Sequence, residues 1–302
     1  MRKFLFYFLS LFFILVHPTE LQYYCTYADS RHYELLLNLI GSIHRIDFDR
    51  LGEIMVFDLG LNEGQRKHLD TIQKANVYEV EKVNSDILTP FVSSPSGKIA
   101  RGWFTWKPVV IKQALDKYPY VLCIDAGVTV LKSLDYLFEY IREHGYFLIS
   151  NLPIMTCNIA RRVTRSVLHD VINKEDPSIK NFLLKNDTIM ISAGLQGLSR
   201  DVLDSYVVPM YKFAHKPYLF ADDKTARAGF GEARHDQTLF SVLAHKLKMK
   251  IHPEGWTELD FGDGKKAKLH TTSDIKFLNK NTNIFISKKG ISRGMKKYIF
   301  YK

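Results

Sequence analysis

The sequence predicts an α/β protein built on a mainly parallel sheet with helices on both faces. Three observations point there. Short apolar runs alternate with amphipathic stretches over roughly the first 150 residues. Three of the apolar runs end at or just before an aspartate: Asp29, Asp58 and Asp125. No stretch between the two halves reads as a linker, so a single domain is expected. In such sheets ligands bind outside the carboxyl ends of the strands, which is where those aspartates stand.

The elements follow in order. Residues 23–27 read as a strand. Across 31–43, Leu35, Leu36, Leu39, Ile40 and Ile43 fall at helical spacing. Residues 54–59 are apolar except for Asp58 and read as a strand, 62–74 as a helix and 77–83 as a strand. A loop rich in Ser, Pro and Gly follows at 93–97. Residues 106–117 form a helix pattern, 120–125 a buried strand ending in an acid, 134–144 a helix and 146–150 a strand. In the second half a short strand at 188–192 leads into Ala193-Gly194. A helix spans 235–247 with Asp236 in its first turn, and 248–253 is strand-like.

Composition narrows the function classes. The 302 residues are 46% hydrophobic and 25% charged, which excludes whole-chain disorder and collagen-like sequence. The formal charge of +10 sits in one place: from Lys265 to Lys302 there are eleven Lys/Arg and one acid, Asp274, and the rest of the chain balances. A neutral body with a basic tail is not a domain wrapped in nucleic acid. Cys25, Cys123 and Cys157 are too few and too scattered for a disulfide framework or a zinc site, and read as buried small hydrophobes. There is no GxGxxG and no P-loop, so dehydrogenase and kinase readings lack their phosphate cradle.

The N-terminus has the form of a secretory signal: Met1-Arg2-Lys3, then an apolar run over 4–16 broken by Ser10 and ended by His17-Pro18. No Ala-x-Ala precedes Glu20, so a short uncleaved anchor stands beside that reading. The expected organisation is a leader at 1–20, one domain over 21–285 and a basic tail at 286–302, in an exported or membrane-anchored protein. The tail interleaves basic residues with Ile, Met, Phe and Tyr. That composition suits a membrane surface, a disordered terminus or a last strand docked on the sheet.

In Val121-Leu122-Cys123-Ile124-Asp125-Ala126-Gly127, an acid ends an apolar strand and two small residues follow. This arrangement can present a carboxylate to a hard cation at the sheet edge. An aspartate there is also a turn former or helix cap. Trp103 and Trp106 read either as the lining of a ligand pocket or as core packing, and His235 as a surface residue.

Taken together, these segments resemble the GT-A-fold nucleotide-sugar glycosyltransferases, most closely the retaining family-eight type that includes glycogenin and the lipopolysaccharide glycosyltransferases. The match is in shared order over about residues 22–280. Tyr24-Cys25-Thr26-Tyr27-Ala28-Asp29 looks like the nucleotide-binding first strand. Trp106-Lys107-Pro108 looks like the lysine-bearing helix, and Ile124-Asp125-Ala126-Gly127 like the metal-binding D-x-D strand. Ser192-Ala193-Gly194-Leu195 resembles the Asn-Ala-Gly motif and His235-Asp236-Gln237 the Asp-Gln helix start. His270 and Lys276 sit like the His and Lys of the H-x-x-G-x-x-K-P-W motif.

The resemblance implies a Rossmann-like three-layer sandwich with a mainly parallel mixed sheet. It implies donor contacts at Thr26, Tyr27, Asp29, Lys107, Ala193, Gly194 and Lys276, catalytic roles for Asp236 and Gln237, and Mn²⁺ or Mg²⁺ on Asp125 and His270. The partners implied are a nucleotide sugar and a glycan, protein or lipid-linked acceptor, with a membrane surface suggested by the tail and no nucleic acid. The second acid of D-x-D is Gly127 here. The last motif has Ser273 for its Gly and Phe277-Leu278 for its Pro-Trp. A departing diphosphate needs metal or basic side chains, and Lys107, Lys276 and Arg101 are candidates. Two further classes remain open: a degenerate, non-catalytic sugar or nucleotide binder, suggested by Gly127, and an unrelated exported binding protein.

Overall fold

The computed structural model describes residues 20–92, 97, 99–150, 157–229, 231–252, 258–260, 266–268, 285–287 and 294–302. All but the last residue of the expected leader lies outside them, as do His270 and Lys276.

The first half winds strand by strand. β1 (Gln22–Ala28) leads through a 3-10 turn into α1 (Tyr33–Asp47), followed by β2 (Leu51–Asp58), α2 (Glu63–Asp70) and β3 (Ala75–Glu79). α2 starts at a capping box in which Asn62 and Gln65 satisfy each other's amides. A small hairpin, β4 (Pro90–Val92) and β5 (Ile99–Arg101), precedes α3 (Trp106–Lys117) and β6 (Tyr120–Ile124). Then come β7 (Val128–Val130), α4 (Asp135–His144) and β8 (Tyr146–Ser150). Gly145 closes α4 at φ 81°, a left-handed cap that glycine adopts without penalty. The short helices α5 (Ile159–Arg162), α6 (Arg165–Asp170) and α7 (Pro177–Leu183) lead to β9 (Ile191–Ser199), α8 (Val208–Ala214) and α9 (His235–Lys246). A hairpin of β10 (Glu258–Asp260) and β11 (Lys266–Lys268), and β12 (Phe285–Ser287), complete the strands.

Six strands form one sheet in the order β3-β2-β1-β6-β9-β8. β3, β2, β1 and β6 are parallel; β9 runs antiparallel to both β6 and β8. This is the expected mixed, mainly parallel α/β architecture. Alternation along β1 sends Cys25 and Tyr27 into one apolar core, with α3 and α9, and Tyr24 and Ala28 into the other, with α1 and α4. The three cysteines are buried and none is joined in a disulfide.

Most predicted elements overlap observed ones; the helix expected at 62–74 ends early, at Asp70, and three of the expected strands differ. The strand expected at 188–192 begins at Ile191 and runs on to Ser199, because its partner β6 continues the ladder that far. The strand expected at 77–83 spans Ala75–Glu79, where β2 runs out of pairing residues at Asp58. Of the strand expected at 248–253, the described residues 248–252 make only an isolated bridge, His252 to Ile149.

The chain's last described residues return to the first half. β12 pairs with β7, Tyr301 bridges Ile72, and the Gln73 amide donates to Phe300 O at 2.9 Å. On the way Met295 crosses α1 at Gly41, where a Cβ would stand 2.2 Å from Met295 O. Gly41→Ala should therefore destabilise the protein by about 1–3 kcal/mol through overpacking. At an unobstructed helix site the same change stabilises by roughly 1 kcal/mol. Urea unfolding of the two proteins reads the sign, and a gain in stability would show that the crossing is loose.

Candidate active site

At the carboxyl end of β6, Asp125 meets three elements. Its amide donates to Gly194 O at 2.9 Å, tying the turn to β9. Its Oδ1 accepts a short hydrogen bond from the Tyr27 hydroxyl of β1 and lies 3.4 Å from Lys107 Nζ of α3. Its carboxylate rests on the bare backbone of Gly194, where a Cβ would come within 2.6 Å of Oδ2. That contact is the physical reason for glycine at position 194. Gly127, at the second acid position, turns the chain into β7 and supplies no carboxylate.

Lys107 is the centre of the cluster. It is 5% exposed and sits in the first turn of α3, where the positive end of the helix dipole opposes an ammonium. Its partners offset that cost: Asp125 Oδ1 at 3.4 Å, Asp236 Oδ2 at 3.5 Å and Ala193 O at 3.2 Å. Burial pulls the Lys107 pKa down, but Asp125 and Asp236 outweigh it and hold the ammonium above its ordinary value.

Asp236 lies in the first turn of α9 and is 5% exposed. Burial pushes its carboxyl up to about 6, with Lys107 opposing and Asp125 adding to the rise. The 3.5 Å contact with Lys107 is ionic, too long for a hydrogen bond, and leaves Oδ2 without a hydrogen-bond partner. Gln237 Nε2 next to it is likewise buried and unpartnered. These two polar groups at one helix start are free to accept from and donate to a ligand.

His235 corrects the surface reading given above: it is 8% exposed. Its Nδ1–H donates to Phe220 O at 2.6 Å, and its ring packs against Phe91, Trp103 and Phe104 with centroids 5.2–5.7 Å apart. Beneath those rings Gly102, Trp103 and Phe104 take φ values of 56°, 51° and 63°, a left-handed turn that costs about 1–2 kcal/mol for each non-glycine residue. Trp106 packs edge-on against Tyr27 at 4.4 Å, so it supports the site from the core.

Of the residues expected at the site, Tyr27, Lys107, Asp125, Ala193, Gly194 and Asp236 converge, with Gln237 adjoining. Thr26 has no exposure and projects to the opposite face of the sheet from Tyr27. Asp29 ends β1 and caps the turn after it. Burial opposes its ionisation, but hydrogen bonds from Arg31 and His32 hold its carboxyl down at about 2. The sequence reading named neither Arg31 nor Arg66 as a site residue; Arg31 stands two residues after the strand-terminal Asp29, a signal it could have used, whereas Arg66 reaches Asp58 from the first turns of α2.

For a divalent metal, the described residues offer Asp125 Oδ2, on a side chain 45% exposed. No group of three or more His, Cys, Asp or Glu is gathered for a metal among the described residues. One carboxylate oxygen fits a cation that takes its other ligands from phosphate and water.

No family model and no curated protein matches the chain. Solved structures do align with it. An active-site mutant of LgtC covers 92% of this chain and 94% of its own at 11% identity, TM-score 0.48. The bifunctional glycosyltransferase WbbM covers 76% of this chain at 14% identity, TM-score 0.43, and this chain spans only 38% of its length. Core-mannan synthase A (CmsA/Ktr4) from Aspergillus fumigatus, in an Mn/GDP form, covers 74% of this chain and 69% of its own at 13% identity, TM-score 0.46. At these values the likenesses carry no conclusion about this chain's chemistry.

The raised pKa of Asp236 sets a direction for stability. The folded state holds that proton more tightly than the unfolded state. Its stabilising contribution is therefore complete below pH 3.8 and lost as pH rises through about 6. Relative to Asp236→Asn, the protein should lose about 3 kcal/mol across that window and change little above it. Urea unfolding of both proteins at a series of pH values measures this, and parallel stability curves would rule out the burial-driven shift.

Proposed function

We propose that this chain is a glycosyltransferase that moves a hexose from a nucleoside-diphosphate sugar to a glycan, protein or lipid-linked acceptor. The observation that carries the reading is Lys107, a buried ammonium fixed between Asp125 and Asp236 where β6 ends. Breaking the sugar–phosphate bond builds negative charge on the diphosphate, and a cation already in place stabilises that charge without reorganising. Asp236 and the unpartnered Gln237 amide stand beside it to meet the sugar. We assign retention from the resemblance of Asp236-Gln237 to the family's Asp-Gln helix start. Mn²⁺ or Mg²⁺ held by Asp125, with His270 as a second ligand, would supply further charge stabilisation to the diphosphate when bound. The leader at 1–20 supports export or anchoring; among the described residues no helix is long and apolar enough to cross a membrane.

A second reading, a sugar-nucleotide binder without turnover, is favoured by Gly127 and by the engagement of Asp125 Oδ1 with Tyr27 and Lys107. Donor hydrolysis without acceptor separates the two. A panel of nucleotide sugars is incubated with Mn²⁺ or Mg²⁺, and released nucleoside diphosphate is measured. Release from one donor supports the enzyme; tight binding with no release supports the binder.

Asp125→Asn should lower donor turnover about 100-fold or more while the far-UV spectrum is unchanged. Full turnover in that variant would remove Asp125 from the site. Lys276→Ala should reduce turnover more than donor affinity, because the leaving-group charge grows in the transition state. Equal losses would make Lys276 a ground-state phosphate contact.

A further inference from the structure

Where the chain approaches α9, two segments run against each other with their charges sorted. α5 and the start of α6, residues 158–166, face residues 222–234, which lead directly into α9. Hydrogen bonds fix the pairing. The Ala228 amide donates to Arg161 O at 3.0 Å, and the Arg165 amide donates to Thr225 Oγ1 at 2.6 Å. Arg162 Nη1 donates to Glu232 O at 3.0 Å and pairs with the Glu232 carboxylate. These contacts set Arg161, Arg165 and Arg227 along one seam, and Arg234 follows where the seam runs into His235 and Asp236.

The two segments hold six basic residues and three acids, and the acids are committed within the seam. Asp223 Oδ2 accepts the Ser166 amide and hydroxyl at 3.1 and 2.9 Å, and its Oδ1 accepts the Thr225 amide at 3.0 Å. Asp222 accepts the Lys224 amide at 2.8 Å on Oδ1 and the Gly231 amide at 2.6 Å on Oδ2. Glu232 is taken by Arg162, whose side chain is 8% exposed. Arg161, Arg165, Arg227 and Arg234 are all exposed, and among the described residues none of the four pairs with a carboxylate. Like charges gathered on one surface repel, and an anion relieves that repulsion. Glu232 stands four residues before Asp236, so their Cα atoms are at most about 14 Å apart. The seam therefore begins close to the Lys107 cluster, yet its arginines are not the groups that hold Asp125 or Asp236.

We infer that this arginine seam binds a phosphate monoester carried by the acceptor glycan; the inference rests on the proposed transferase activity. The ligand class follows from matching charge and acceptor count. A guanidinium is a planar fork of N–H donors with no acceptor, and it meets carboxylate and phosphate bidentately. One fork already satisfies the two oxygens of a carboxylate. Several forks call for a group with more oxygens and more charge. A phosphate monoester offers three strong acceptor oxygens and about −1.5 to −2 charges. A neutral sugar hydroxyl would leave the excess positive charge unanswered.

The test is retention of the full chain on immobilised oligosaccharides prepared in matched sets: neutral, carboxylated and monophosphorylated. The phosphorylated members should bind about tenfold or more tightly than the neutral ones, through charge-assisted hydrogen bonds. The preference should shrink as salt is raised. The double variant Arg161→Gln/Arg227→Gln, on exposed side chains, should bring the ratio towards one while binding of neutral members stays within about twofold. Arg165→Gln should move the ratio the same way and serves if the double variant does not fold. No preference for phosphate, equal retention of carboxylated members, or a preference that survives in the variants would overturn the inference. So would variant-sensitive binding to phosphatidylglycerol vesicles but not to phosphatidylcholine vesicles, with no preference among oligosaccharides; that result would assign the seam to a membrane. Release of nucleoside diphosphate from a sugar nucleotide by the unaltered chain reads the transferase proposal separately. A phosphate preference with no release from any donor would overturn that proposal and, with it, the acceptor role of the seam.

Discussion

One buried ammonium organises this molecule. Removing a lysine head group from water costs several kcal/mol unless carboxylates meet it. Lys107 is met by Asp125, from the strand that directly follows its helix, and by Asp236, from a helix far later in the chain. Satisfying it fixes where β6 must stop, where α9 must begin and how closely β9 must pass. Gly194 is the spatial consequence, because the carboxylate that holds the lysine occupies the space of a Cβ there. The two carboxylates exceed the single ammonium by one charge, and burial at Asp236 shifts its carboxyl towards neutrality in response.

The sequence made the strands and helices legible wherever an element declares itself locally. Residues 106–117 and 146–150 were read to their observed limits because the apolar pattern begins and ends with the element. The aspartates at strand ends were legible for the same reason. Long-range facts were not. That β9 inserts antiparallel between β6 and β8 depends on pairing across the chain, and no local pattern encodes it. His235 was misread because a histidine at a helix start is ordinarily solvated; here three aromatic rings from the segment 91–104 close over it. The saturation of Asp29 was hidden too, since it depends on how the side chains of Arg31, His32 and Arg101 fold back on it, which a linear reading cannot weigh.

The two apolar cores divide the labour of the fold. The face carrying α3 and α9 holds the charged site, and its rings and orphaned polar groups lie at the sheet's carboxyl edge. The opposite face, built on α1 and α4, is fastened by β12 and by the last residues, which bond at Thr71, Ile72 and Gln73. Asn38 of α1 also donates to Thr129 Oγ1 of β7 at 3.1 Å, within a few residues of Asp125. The far face thus buttresses the strand that follows the Asp125 turn.

The left-handed turn at Gly102–Phe104 joins Arg101 on one side to the helix of Lys107 on the other. Its dihedral angles are unfavourable for tryptophan and phenylalanine, and the packed rings hold them. Gly102 has no room to change, as a Cβ would meet Ile87 O at 1.8 Å. The separation between Arg101 and Lys107 is therefore set by a packed, sterically constrained piece of backbone. A change at Gly102 would be felt on both sides of the turn at once, in the hairpin that ends at Arg101 and in the helix that carries Lys107.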